Sequence, residues 1–414
     1  MKLSRILKTF CRLVLIFFAA VLIFFNAGFY YSPEFESDKS GKWNKDVYQQ
    51  LTHLKAEVHT GAAAEMQRLF PEGHLFMNAL YGLAWLDFAE ATHFDTFNNA
   101  FLFYEDLPEG EAFREANWAL AEMDSPQGRR IFNKDLPLPY GVFYRGWTNY
   151  LLAKKLAAIA PGSRPVKDAA EFQKNCDAIA RALEQTSSPY LQSYRTGIWP
   201  ADNVVAVASL KAYDRIYHSS RYAYLTAGWL TKVRTQLDPV TGLIPHVVYE
   251  DAPPQGARGS SQSLILSLLP EIDSVFAAEQ FALYQKHFVD QRLGLPGIRE
   301  YPKGTEGTGD IDSGPVIWGI GGAASVVGQR AAYANEDFKL YKGLRNSIET
   351  FGCGFTWFGK KRYLFGQLPI ADAFIAWSNS VEQTPVNAST TVSWVIHLMS
   401  LMILLMIGRV GYKL

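Results

Sequence analysis

WPADNVVAVASLKAYDRI, residues 199–216, decides the fold. From Val204 to Leu210 only Ser209 is polar. A surface helix keeps one polar face; a helix apolar all round is buried all round. Pro200 suits a first helical turn, where its missing N–H is not needed. The stretch therefore reads as an inner helix entered through the loop Gly197–Asn203. Five more stretches of this kind recur: EGHLFMNALYGLAWLDFAEA, PYGVFYRGWTNYLLAKKLA, GSSQSLILSLL, DSGPVIWGIGGAASVVGQRA and PIADAFIAWS. The six begin near Gly73, Tyr140, Pro200, Ser260, Ser313 and Ile370, at intervals of 67, 60, 60, 53 and 57 residues. More charged helical stretches alternate with them, near 43–69, 110–123, 166–185, 220–236, 272–290 and 334–350.

A repeat of this length with one helix pair per unit means stacked hairpins, because no pair can bury its apolar face alone. Six pairs close into a ring. The expected fold is all-α, an (α/α)6 toroid with apolar helices inside and amphipathic ones outside; an open solenoid is the alternative. Gly319, Gly321, Gly322, Ala323, Ala324 and Ser325 let inner helices approach closely. Strand-like runs are few: Leu243–Tyr249 and Arg362–Phe365. In such a ring the inner helices are parallel, so their N-termini, with unpaired N–H groups and partial positive charge, gather at one end. The loops entering them are where function is expected.

Apolar segments frame this region and divide the chain into 1–31, 32–391 and 392–414. Leu13–Gly28 follows Lys2, Arg5, Lys8 and Arg12 and precedes Phe29, Tyr30 and Tyr31, an interfacial aromatic belt. It reads as a signal anchor, with a cleaved signal peptide as the alternative. Trp394–Ile407, with its Val392–Val410 margins, is long enough to cross a bilayer and is followed by Arg409 and Lys413. The positive-inside rule then puts both termini in the cytoplasm and the toroid outside an inner (plasma) membrane, in a periplasm. Membrane lipid is the expected partner of both ends. The net charge is zero, with 40 basic and 40 acidic residues, so no basic stripe points to nucleic acid. Cys176 and Cys353 fit either a bridge or two free thiols.

Inner-helix starts carrying W-P-x-D, R-G-S-S-Q and D-x-D-S-G-P resemble those of the six-hairpin α/α-toroid enzymes over about 43–380. That group includes inverting glycosidases, uronate lyases and epimerases, and the linalool dehydratase/isomerase-like proteins. The resemblance implies a polar cleft at the N-terminal ends of the inner helices.

The residues name the candidates. Asp202 can serve as general base beside the face of Trp199, with Asn203 next to it; a dipole-complementing Asp is the alternative. Asp310 and Asp312 lie in Gly304–Pro315, a glycine-rich stretch that brings backbone near a ligand; an N-cap at Asp312 or Ser313 is the alternative. Asp202 and Asp312 would face each other across the mouth as an acid/base pair. Arg258, Ser261 and Gln262 would clamp and hydrogen-bond a substrate; an N-cap at Ser260 with Arg258 in a structural pair is the alternative. Tyr144 and Arg145 would position it, with a packed Tyr144 as the alternative; His246 would be a further general base, with a hydrogen-bonded structural His as the alternative. Glu250, Tyr301 and Glu306 are weaker binding candidates, with Glu300 in the same insertion, and Asp372 reads as a dipole partner of the sixth inner helix. Gly319–Ala324 follows no strand-like run and reads as helix packing, not dinucleotide binding. No organic cofactor and no metal site is implied. The expected function is a carbohydrate or uronate hydrolase or lyase using carboxylate acid/base chemistry. A cofactor-free dehydratase or isomerase of a small alcohol and a non-catalytic glycan-binding scaffold are the alternatives.

Overall fold

The computed structural model describes residues 2–38, 41–91, 108–195, 197–311, 313–382, 384–388 and 394–413. Its helices are α1 (Lys2–Gly28), α2 (Lys45–His59), α3 (Ala62–Leu69), α4 (Gly73–Ala91), α5 (Pro108–Met123), α6 (Pro126–Arg129), α7 (Gly141–Ala157), α8 (Val166–Glu184), α9 (Pro200–Ile216), α10 (Ala223–Arg234), α11 (Gly259–Ile272), α12 (Ser274–Phe288), α13 (Gly322–Ala334), α14 (Phe338–Phe351), α15 (Pro369–Asn379) and α16 (Trp394–Lys413). Four two-stranded antiparallel hairpins decorate them: β1–β2 (Phe35–Asp38, Gly41–Asn44), β3–β4 (Val289–Arg292, Leu295–Ile298), β5–β6 (Val316–Ile317, Ile320–Gly321) and β7–β8 (Phe355–Trp357, Lys360–Arg362).

The helices α4, α7, α9, α11, α13 and α15 each touch the next, and α15 returns to α4, so the ring closes. The other partners, α2 with α3, then α5, α8, α10, α12 and α14, pack outside. This is the (α/α)6 toroid, and the open solenoid is excluded. Composition explains the layers: α9 is buried from Pro200 to Leu210 on every face, whereas α8 buries the face of Phe172, Cys176, Ile179 and Leu183 and exposes Gln173, Lys174 and Arg181. Close approach depends on glycine where helices cross; a Cβ on Gly146 of α7 would meet Ala206 N of α9 at 3.2 Å.

Three expectations are corrected. The fifth inner helix starts at Gly322, not near Ser313. The intervening residues form β5–β6, whose turn places Trp318 at φ 53° and Gly319 at φ 80°. Gly319 and Gly321 therefore belong to the hairpin, while Gly322, Ala323, Ala324 and Ser325 lie in the helix. The run Leu243–Tyr249 makes only isolated bridges, Ile198 with Val248 and Val247 with Gln255. Arg362 ends β8, and a 3-10 turn follows at Leu364–Gly366. Cys176 and Cys353 are free thiols, the first buried and the second half-buried.

A charged network closes the ring at the C-terminal ends of the inner helices. Asp87 (α4) pairs with Lys154 (α7) at 3.1 Å and Arg330 (α13) at 2.8 Å. Glu271 (α11) accepts from Tyr150 at 2.6 Å and pairs with Arg215 (α9) at 2.6 Å. Burial alone would raise the Asp87 carboxyl, but Arg330 and Lys154 outweigh it and hold it below the ordinary range. Cations gathered at helix C-termini also complement the carbonyl ends of the dipoles.

Helices α1 and α16 are each long and apolar enough to cross a membrane. They pack antiparallel: Asn26 Nδ2 donates to Ser400 Oγ at 3.0 Å, and Leu15 lies beside Gly411. His397 joins Asn26 at 2.8 Å and Tyr30 at 2.6 Å.

Candidate active site

Each inner helix is entered from an outer one, so the loops 69–73, 123–141, 184–200, 234–259, 288–322 and 351–369 share the N-terminal mouth. The rings of Phe76 (α4) and Phe374 (α15) meet edge-on at 5.0 Å, and Phe143 (α7) lies 5.4 Å from Phe76. Phe76 and Phe374 stay half-buried although inner helices flank them, so this end is open to solvent.

The helix starts are wired to neighbouring loops. Tyr140 (φ 74°) and Gly141 (φ 78°) turn the chain into α7, and Val142 N donates to Gln192 O at 2.9 Å. Gly259 N donates to Glu300 O at 2.8 Å, so tightly that a Cβ there would fall 1.8 Å from Arg299 O. Several N-terminal amides expected to await an anion are thus bound by carbonyls of the chain itself.

Arg258, immediately before α11, organises a dense cluster. Its Nε donates to Glu300 Oε1 at 2.7 Å and its Nη1 to Asp310 Oδ2 at 2.5 Å. Nη1 also lies 3.4 Å from His246 Nε2, and the guanidinium covers the Tyr301 ring at 5.2 Å. His246 Nδ1 bonds Ser261 Oγ. Glu300, fully buried, also accepts from Ser260 Oγ at 2.8 Å and Ser260 N at 3.2 Å. Asp310 Oδ1 accepts from Ser313 N, and Ser313 Oγ accepts from Asp310 N, both at 2.9 Å.

These contacts set the charge states. Burial tends to raise the Asp310 carboxyl, but Arg258 and Ser313 overcome it and bring it to about 2, so Asp310 is ionised. Burial, reinforced by Arg258, lowers His246 to about 4, so it is neutral at pH 7. Burial keeps Glu300 above the ordinary glutamate value despite Arg258 and Ser260. Two buried polar atoms in this cluster have no partner among the described residues: Arg258 Nη2, a donor, and Gln262 Oε1, an acceptor. The Gln262 amide nitrogen is held by Ile244 O at 2.6 Å.

The other sequence candidates fall into two neighbouring groups. In the first turn of α9, Asp202 is buried and its Oδ2 accepts from Ser193 Oγ at 2.5 Å. Asn203 bonds backbone, accepting from Leu191 N at 2.7 Å and donating to Leu191 O and Trp199 O at 3.1 Å each. Trp199 is half-buried, edge-on to Tyr194 at 5.3 Å. This group joins the Arg258 cluster through Val248 N, which donates to Ile198 O at 2.9 Å two residues from His246. Glu250 is exposed and accepts from Gln192 at 3.1 Å.

Tyr144 and Arg145 stand apart, at the start of α7. Tyr144 is buried, donates to Asp124 at 2.8 Å and accepts from Arg129 at 3.3 Å. Burial, then Asp124, pushes its hydroxyl above the ordinary value. Arg145 donates to Pro139 O at 2.9 Å and Asn175 at 3.2 Å. Tyr301 donates to Thr308 O at 2.9 Å, and exposed Glu306 pairs with Arg299 at 3.1 Å. Asp312 lies outside the described residues, so the expected Asp202/Asp312 pairing has no geometry.

Two groups were underrated from sequence. Glu300 is the second anchor of Arg258, and nothing local to Arg299-Glu-Tyr301 marks it. Asp372, in the first turn of α15, accepts from Tyr363 N at 2.7 Å, while its Oδ2 has no hydrogen-bond partner among the described residues and lies 3.9 Å from His53 Nε2. Burial raises this carboxyl to about 7 and lowers His53 to about 4. No group of three or more potential metal-binding side chains occurs among the described residues. A groove of about 930 Å3 between α8 and α10, with Tyr224 and Trp229 in its lining, lies on the outer layer away from these residues.

No family model and no curated protein matches the sequence. Among solved structures, a selenomethionine derivative of the GH76 α-mannanase of Bacteroides thetaiotaomicron aligns with a TM-score of 0.48 and 9% identity, over 81% of this chain and 95% of that one. Likeness at that level carries no argument about chemistry. The molecule itself defines the class: a closed six-hairpin α/α toroid with two terminal apolar helices.

Proposed function

We propose that the chain is a membrane-anchored enzyme acting on a carbohydrate or uronate at the mouth of its toroid, by carboxylate acid/base chemistry of hydrolase or lyase type. The carrying observation is the Arg258 cluster. A buried donor (Arg258 Nη2) and a buried acceptor (Gln262 Oε1) without partners among the described residues stand within one helical turn, beside an ionised, partly exposed Asp310. Buried polar groups are normally paired, and a hydroxyl-bearing ligand both donates and accepts. In this reading Asp310 and Asp202 are the carboxylates that act on the substrate, with Asp312 the further candidate. Arg258 orients Asp310, and Trp199 offers a face for a sugar ring.

The chain crosses the membrane at α1 and α16. Lys2, Arg5, Lys8, Arg12, Arg409 and Lys413 hold both termini in the cytoplasm, and the toroid lies in the periplasm. The aromatic floor of Phe76, Phe143 and Phe374 supports a second reading, a dehydratase or isomerase of a small alcohol. Mass spectrometry of a glycan and alcohol panel incubated with the full chain in detergent separates the two. New glycan products support the carbohydrate enzyme. An intact glycan panel with dehydrated or isomerised alcohol moves the assignment to the second reading.

A further inference from the structure

We propose that the mouth of the toroid is seated on the bilayer, so that the site faces lipid. The first observation is direction. Phe25 of α1 meets Phe351 at the end of α14 with ring centroids 6.0 Å apart. Gly28 lies against Thr350, and Phe29 O accepts from Asn346 Nδ2 at 2.6 Å. Moving up α1 from 25 to 29 thus moves down α14 from 351 to 346. The earlier residues of α1 project past the C-terminal end of α14, where the loop to α15 begins and the inner helices have their N-termini. Helix α16 runs back alongside α1, with Gly411 beside Leu15. Both spans leave the toroid on its mouth side.

The second observation is what the mouth loops display. The hairpins β5–β6 and β7–β8 enter α13 and α15, and each presents aromatic residues at its turn. Trp318 is 66% exposed, and Trp357 and Phe358 are 62% and 88% exposed. Ile317, Leu364 and Phe365 are exposed beside them. Trp318 and Phe358 hold positive φ (53° and 46°) at turn positions where Asn or Gly is favoured. A positive φ is sterically costly for a bulky aromatic, so these side chains are held at the hairpin tips against backbone preference. Aromatic residues at the edge of apolar spans are the usual furnishing of a membrane interface. Lys360 and Arg362 follow the β7–β8 turn and suit lipid phosphates. The α1 exit is tied to this loop by Tyr31, whose ring lies 4.1 Å from Lys361 Nζ.

The seat rests on the reading that α1 and α16 cross the membrane. Joined to the carbohydrate reading, it makes the substrate class a glycan carried on a lipid, its headgroup entering the mouth from the bilayer surface.

The test uses the full chain, with Cys11→Ala and Cys353→Ser, in phosphatidylcholine–phosphatidylglycerol nanodiscs. An environment-sensitive fluorophore is placed at Phe358→Cys, at Phe18→Cys within α1, and at Val166→Cys, which is 85% exposed at the opposite end. Lipid-borne quenchers should quench the labels at 18 and 358 and spare the label at 166. A label at 358 that behaves like the one at 166, while 18 is quenched, overturns the seat and leaves the anchoring intact. Loss of quenching at both 18 and 358 overturns the anchoring and the seat together. Neither outcome depends on whether a glycan is turned over.

Discussion

Asp372 shows at residue scale what burial does to a carboxyl. Its folded value of about 7 lies above the ordinary 3.8. Between pH about 4 and 7 the folded chain keeps a proton that the unfolded chain has released. The group therefore favours folding at low pH, and that contribution is lost as pH rises through 7. Asn at this position keeps the bond from Tyr363 N without the charge. Asp372→Asn should match the wild type at pH 4 and be more stable at pH 8, on the order of 2–4 kcal/mol, in chemical unfolding in detergent. A constant difference between the two proteins across that range contradicts the assignment. The sequence marked Asp372 as a helix-start residue, because position alone suffices for that. Its burial against His53 is made by α2, more than 300 residues away, and no local pattern carries it. Arg258 was legible from its place before an inner helix; its partner Glu300 was not.

At element scale the hairpin repeat was legible because alternation of apolar and amphipathic helices has a period that survives irregular loops. The start of α13 was not. Val316–Trp318 looks like the first apolar turn of a helix, yet Trp318-Gly319 reverses the chain into β6, and only Gly322 begins the helix. Runs of glycine permit either course, and packing against Arg299 and Glu300 decides. The glycine before Ser260 is more sharply constrained. A Cβ at Gly259 would lie 1.8 Å from Arg299 O. Gly259→Ala must push the 299–301 segment away and loosen the Arg258–Glu300 pair. The expected loss is about 2–3 kcal/mol, read from unfolding midpoints; an unchanged midpoint contradicts the close contact.

At the scale of the whole molecule, six repeats foretold a closed ring, and the two apolar ends are helices long and apolar enough to cross a membrane. The charged network from Asp87 to Glu271 was invisible, since its members are scattered over five inner helices and meet only when the ring closes. That network ties the inner helices together at one end, and the proposed chemistry belongs to the other. The central claim is that the mouth, and not the outer groove between α8 and α10, is where substrate is changed. Product release from glycans by the full chain, compared among wild type, Asp310→Asn and Tyr224→Ala, tests it most directly. The account predicts that Asp310→Asn loses about 100-fold or more, while Tyr224→Ala, which alters an exposed side chain of the groove, keeps wild-type turnover. Full turnover in Asp310→Asn, or loss confined to Tyr224→Ala, would contradict it.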